Sequence, residues 1–216
     1  MIRESVTKNA LLLAAFSLAT TAIIASTYLG TKNAIAENIR KAEEKALLEI
    51  VPRSRHNNSM LEDSYMLSNV ESLGLREAKK AYVAKQDNVP VAVIIPATAR
   101  GGYSGDIDLI VGINTDGSLA GVRIISHRET PGLGDKVDYN KSKWVDSFIG
   151  KSLNNPVIGQ WKVKKDKGAF DQFTGATITP RAVVKTVKQS LEYFETNRAA
   201  LLNQGKPAEP KGQNNG

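Results

Sequence analysis

The sequence predicts an α+β fold: one long apolar helix, then a domain in which an antiparallel sheet is covered by a C-terminal helix. Three observations carry this expectation. No residue from Asn9 to Thr31 is charged, which gives a run long enough to cross a bilayer. Short β-branched runs flank an Asp116-Gly117 turn in the middle of the chain. After Pro180, apolar residues recur at helical spacing. With 216 residues, 41% hydrophobic and 24% charged, the chain has room for one core of moderate size plus appendages.

The uncharged run reads "NALLLAAFSLATTAIIASTYLGT" (9–31). About 20 apolar residues span the ~30 Å hydrocarbon layer, so it is expected to be a membrane helix. Ala34-Ile35-Ala36 has the form of a secretion cleavage site behind a basic start. A secretion signal, however, has an apolar core of only about 7–15 residues, so a retained anchor is the preferred reading. Arg3 and Lys8 precede the run, and Lys32, Arg40, Lys41 and Lys45 follow it, so charge alone leaves the orientation open. Residues 32–81 are expected to form a helical connector and polar loop. Ile35, Ile39, Ala42, Ala46 and Ile50 keep helical spacing, Pro52 stops the helix, and His56 in "RSRHNNS" is expected to be solvated.

The folded domain is expected over residues 82–202. "VPVAVIIPATA", "DIDLIVGI" and "SLAGVRIIS" read as strands, the last two joined by the turn in "NTDG". Val183, Val184, Val187, Leu191, Phe194 and Leu201 then form the stripe of a helix that packs on the sheet, with Thr179 expected as its N-cap and Pro180 as its first residue. Residues 203–216, rich in Pro, Gly and Asn, are expected to be a disordered tail.

Composition narrows the chemistry. Without cysteine there is no disulfide framework, thiolate zinc site, iron–sulfur ligation or thiol nucleophile, and two histidines do not make a multi-histidine metal site, so no metal is expected. The net charge of +7 is scattered and comes with no nucleic-acid-binding motif, so no nucleic-acid partner is expected.

The candidate site lies in "DQFTGATITP" (171–180), where three threonines meet a helix N-terminus, a natural seat for phosphate. Gly175 and Ala176 permit close approach, and the lysines of "WKVKKDK" upstream add charge. An ordinary helix start with one capping hydroxyl is the competing reading. Two further loops tilt the balance: "SHRETPGLGDK" carries Glu129 and Thr130 through a tight Pro-Gly turn, and "GGYSGDI" brings two glycines and Tyr103 to the start of a strand.

In this order and behind one anchor, "GGYSGDI", "HRETPGLGDK" and "DQFTGATIT" resemble the FMN-binding domain of bacterial redox complexes, and more narrowly the G-subunit family (RnfG, also called RsxG) of Rnf-type electron-transport complexes. The resemblance covers nearly the whole chain. It implies FMN joined by a phosphoester to a threonine in a D-x-x-[ST]-G-A-T signature, here Asp171, Thr174, Gly175, Ala176 and Thr177, with Thr177 the acceptor. By the same resemblance a flavin transferase recognising Asp171 installs the group, and the loop of Glu129, Thr130, Leu133 and Gly134 borders the isoalloxazine; on the chemistry of a phosphodiester at a helix terminus Thr174 and Thr179 are the candidate donors, and Tyr103 is a further candidate contact from its place beside two glycines. The implied role is electron relay beside the other subunits of a complex that links ferredoxin and NAD chemistry to ion movement. No catalytic residue is assigned. The implied location is the bacterial inner membrane, with residues 1–8 cytoplasmic and the flavin domain periplasmic. Two alternatives stand at this point: the C subunit of a sodium-pumping NADH:quinone reductase, and a membrane-tethered scaffold whose threonines only cap a helix.

Overall fold

The computed structural model describes residues 2–68 and 70–203, which fall into two compact units, residues 1–45 and 46–216. Helix α1 (Ile2–Ile50) is continuous; it does not break after the apolar run. In the first unit it is long and apolar enough to cross a membrane, and its large side chains, among them Leu12, Phe16, Ile23 and Leu29, are exposed. A helix that is apolar all round with nothing packed on it suits lipid. Thr20 and Thr27 satisfy their hydroxyls within the helix, donating to the Phe16 and Ile23 carbonyls, both at 2.9 Å.

The second unit is built on a five-stranded antiparallel meander, in spatial order β1 (Ser64–Leu67), β2 (Lys79–Gln86), β3 (Val89–Ala99), β4 (Ile107–Asn114) and β5 (Leu119–Ser126). The alternation of side chains sorts the strands into two cores. Ala81, Val83, Val93, Ile95, Leu109, Val111 and Ile113 face helix α2 (Ile178–Asn203), where Val183, Val184, Val187, Leu191, Phe194 and Leu201 are all buried as the spacing predicts. Tyr82, Ala84, Ala92, Ile94 and Ile110 pack instead with Leu47 and Ile50, the last residues of α1.

That second contact depends on two glycines. Gly112 and Gly121 lie opposite each other in register, and a Cβ on Gly112 would stand 2.2 Å from Ile50 Cγ2. Arg123 secures the same corner: although buried, its Nε donates to Glu49 Oε2 at 2.9 Å, and its guanidinium lies 3.8 Å from the centre of the Tyr139 ring.

Strands β1 and β2 fall within or overlap the region expected as a connector. A two-residue turn, Asp87 and Asn88, both with positive φ, joins β2 to β3, which is the backbone a tight hairpin requires. His56 is buried at 3% exposure rather than solvated. Its loop is pinned to β2, with Asn58 donating to the Val83 carbonyl and the Asn57 N–H to the Lys85 carbonyl. Apart from Asn203, which ends α2, the expected tail lies outside the described residues.

Two acidic residues tie the strands to their surroundings. Burial opposes the charge of Asp108, but bonds from Lys79, Thr98 and Ser126 outweigh it and hold the carboxyl below its ordinary range. Asp63 behaves alike: burial is outweighed by bonds from Lys85 and Asn58. A depressed folded pKa gives stability that is present above the unfolded value and lost as pH falls through the folded one. Melting temperature is therefore expected to hold from neutral pH to about 5 and to fall below about 4. Thermal melts of the Asp63→Asn, Asp108→Asn double variant should show a shallower fall; a slope equal to wild type would contradict this assignment.

Candidate functional site

The signature loop rests on a bed of aromatic rings. Phe148 stacks on Phe170 at 4.7 Å between centroids, Trp161 lies 5.0 Å from Phe170, and Trp144 meets Phe148 and Phe173 edge-on, each at 5.2 Å. Trp144 Nε1 donates to the Asp171 carbonyl at 2.8 Å, and the Lys165 N–H to Gln172 Oε1 at 3.0 Å. Held at its start, the chain turns at Thr174-Gly175, where the Ala176 N–H reaches the Phe173 carbonyl and Gly175 has φ 81°. A positive φ at the third turn position is what glycine supplies most cheaply.

Helix α2 starts at Ile178, two residues earlier than the sequence implies. Thr177, not Thr179, is the N-cap residue, and its carbonyl accepts the Arg181 N–H at 3.2 Å. Pro180 falls on the third helical position, still within the turn whose N–H groups have no helical acceptor, so its missing donor costs nothing there. Thr179 is fully buried and donates its hydroxyl to Glu129 Oε2. Its hydroxyl is engaged within the protein, and the residue lines the cleft described below. Thr174 is exposed on the turn and does not line the cleft described next.

A cleft of 360 Å³ opens where the three loops converge, lined by Tyr103, Glu129, Thr130, Leu133, Gly134, Gly175, Ala176, Thr177, Ile178 and Thr179. Its size falls at the lower end of the usual range for small-molecule pockets, about 300–1,000 Å³. Tyr103, Leu133 and Ile178 form exposed apolar walls, and polar groups are few. Ile178 joins the lining because the helix begins before Pro180, which turns a position expected in the approach loop into part of the first helical turn. Among the described residues no lysine or arginine lines the cleft: Lys164 Nζ pairs with Asp171 at 2.6 Å and Arg181 holds Asp166 through two bonds. Asp171 itself is exposed and outside the lining.

Two loop glycines lie against the Glu129 carboxylate, Gly134 most closely. A Cβ on Gly134 would stand 2.5 Å from Glu129 Oε2 and 2.9 Å from Thr179 Oγ1, and one on Gly102 would lie 2.9 Å from Glu129 Oε1. His127 Nδ1 accepts the Glu129 N–H at 3.2 Å, giving that histidine a local structural task. Gly134→Ala is expected to destabilise the chain by about 1–3 kcal/mol through overpacking, with Gly159→Ala, which meets nothing within 4 Å, close to neutral. Urea denaturation of both variants checks it; equal midpoints would contradict the crowding.

The chain is 46% identical over 201 residues to the G subunit of the ion-translocating oxidoreductase complex of Vibrio atlanticus, covering 93% of this chain and 96% of the relative. The corresponding G subunit of Pseudomonas aeruginosa is also 46% identical, over 93% of this chain and 94% of its own. The chain belongs to the G-subunit family of ion-translocating oxidoreductase complexes. Residues 102–192 match the FMN-binding domain model, which takes in the whole cleft lining, and residues 1–50 match the RnfG N-terminal region. Among solved structures, the Shewanella oneidensis NqrC is similar with a TM-score of 0.47 and 23% identity, covering 63% of this chain and 68% of that one.

Proposed function

We propose that this chain holds FMN covalently as a phosphoester on Thr177 Oγ and relays electrons within a membrane-bound Rnf-type complex. One observation carries the choice of residue. Of the three threonine hydroxyls in residues 171–180, that of Thr177 alone both lines the cleft and, among the described residues, has no hydrogen-bond partner. Thr179 is engaged by Glu129, and Thr174 lies outside the lining.

The residues present suit such a group. The net joining of threonine and FMN replaces the Oγ–H bond and one P–OH with an Oγ–P bond and releases water, so the phosphate keeps one negative charge. The open N–H groups and positive dipole end of α2 are suited to hold that charge without a lysine. Apolar Tyr103, Leu133 and Ile178 suit a flat ring and limit its contact with water. When bound, FMN supplies one- or two-electron transfer; the protein supplies placement and surroundings. Because Thr177 is acted on by a separate flavin transferase, with exposed Asp171 as the recognition residue, no neighbouring base is required.

Kinship with the G-subunit family supports the following reading of the surrounding assembly. The partners are the other subunits, which couple ferredoxin and NAD electron transfer to ion movement, and the domain after α1 faces the periplasm from the bacterial inner membrane. Protein purified from its host under mild detergent is expected to bring iron–sulfur subunits with it, and its own band is expected to fluoresce under ultraviolet light after denaturing electrophoresis. A dark band sinks the covalent assignment. Recovery of sodium-pumping quinone reductase subunits instead sinks the choice of complex.

A further inference from the structure

Glu129 is 5% exposed, and among the described residues no cation pairs with it. A buried carboxylate without a counter-charge is costly unless dipoles hold it. Here both oxygens are held: Oε1 accepts the Ser104 N–H at 2.9 Å, and Oε2 accepts the Thr179 hydroxyl in the first turn of α2. Gly134 closes on it so tightly that a Cβ there would stand 2.5 Å from Oε2, and Gly102 lies against Oε1 on the other side. One side chain thus ties together three segments that are far apart in sequence. Tyr103 is next to Ser104, Ile178 is next to Thr179, and Leu133 and Gly134 follow Glu129 on its own loop; all four line the cleft.

We propose that Glu129 is the positioning residue of this cleft, a buried anionic clasp that fixes the separation of its three walls and thereby the orientation of the flavin ring joined to Thr177. This rests on the reading that the cleft seats that ring. With both oxygens committed to the protein, the carboxylate acts through the walls rather than by reaching for the ligand. Glutamine can replace it in part, because the amide oxygen still accepts from Ser104 and the amide nitrogen can donate to Thr179. Alanine cannot.

The test uses the full-length chain in two forms. In a Thr177→Ala background, which takes no flavin, hydrogen exchange read at the Ser104 amide is expected to be about tenfold faster in Glu129→Ala and close to the parent in Glu129→Gln. In protein coexpressed with its flavin transferase, Glu129→Ala and Thr179→Val are compared with the parent per mole of flavin bound. Their visible circular dichroism should fall towards that of the heat-unfolded protein, and iodide should quench their fluorescence more strongly. Thr179→Ser and Glu129→Gln should retain most of the parent's dichroism. A loaded Glu129→Ala protein with parental dichroism and quenching overturns the proposal alone, as does an unchanged Ser104 exchange rate. A wild-type chain that carries no flavin overturns the reading of the cleft and the proposal together.

Discussion

Thr177→Ala is expected to reduce the covalent flavin of the purified chain to background while leaving the fold intact. An N-cap threonine replaced by alanine ordinarily costs about 1 kcal/mol because a capping hydrogen bond is lost. Here the hydroxyl caps nothing among the described residues, so the stability change should stay within about 0.5 kcal/mol, as for a surface substitution. Loss of fluorescence without loss of stability separates an attachment residue from a capping one. Thr174→Ala and Thr179→Ala are expected to keep the fluorescent band, because neither hydroxyl is both free and in the cleft. Thr179→Ala should in addition destabilise the chain, since it leaves Glu129 Oε2 buried without its donor.

Phe148→Ala is expected to have the largest effect on stability, a loss of about 3–5 kcal/mol. Phe148 is fully buried and touches Trp144, Trp161 and Phe170, the rings that support the signature loop. For a domain of this size the melting temperature should drop by roughly 10 °C or more. Flavin attachment in the surviving folded fraction should also fall, because the Trp144 bond to Asp171 depends on the same rings. Chemical denaturation monitored by tryptophan fluorescence checks this, and a loss below about 1 kcal/mol would mean that the loop has another foundation.

Much of this architecture is legible in the sequence because it is written in period and punctuation. The stripe from Val183 to Leu201, the Asp116-Gly117 turn and the runs of β3 to β5 are local signals, and each appears as read. Strand β1 has only four residues behind a polar loop and offers no period to detect. The β2–β3 turn leaves a fainter mark, Asp87-Asn88 between two apolar runs, because neither residue is the glycine that most clearly signals positive φ.

The site's ingredients are readable as motifs, but their division of labour is not. That Thr179 is buried depends on Glu129, fifty residues earlier in the chain, and no local rule couples the two. The first turn of α2 likewise begins before Pro180, with the Arg181 N–H bonded to the Thr177 carbonyl and Thr179 held by Glu129. Gly112 and Gly121 need their strand register, and Ile50 above them, before their lack of side chains has a meaning.

The most direct test is the mass of the tryptic peptide Gly168–Arg181 from the chain isolated from its own host. The account predicts the peptide mass plus FMN less one water, with fragment ions placing the addition on Thr177. An unmodified peptide, or an addition on Thr174 or Thr179, would contradict it.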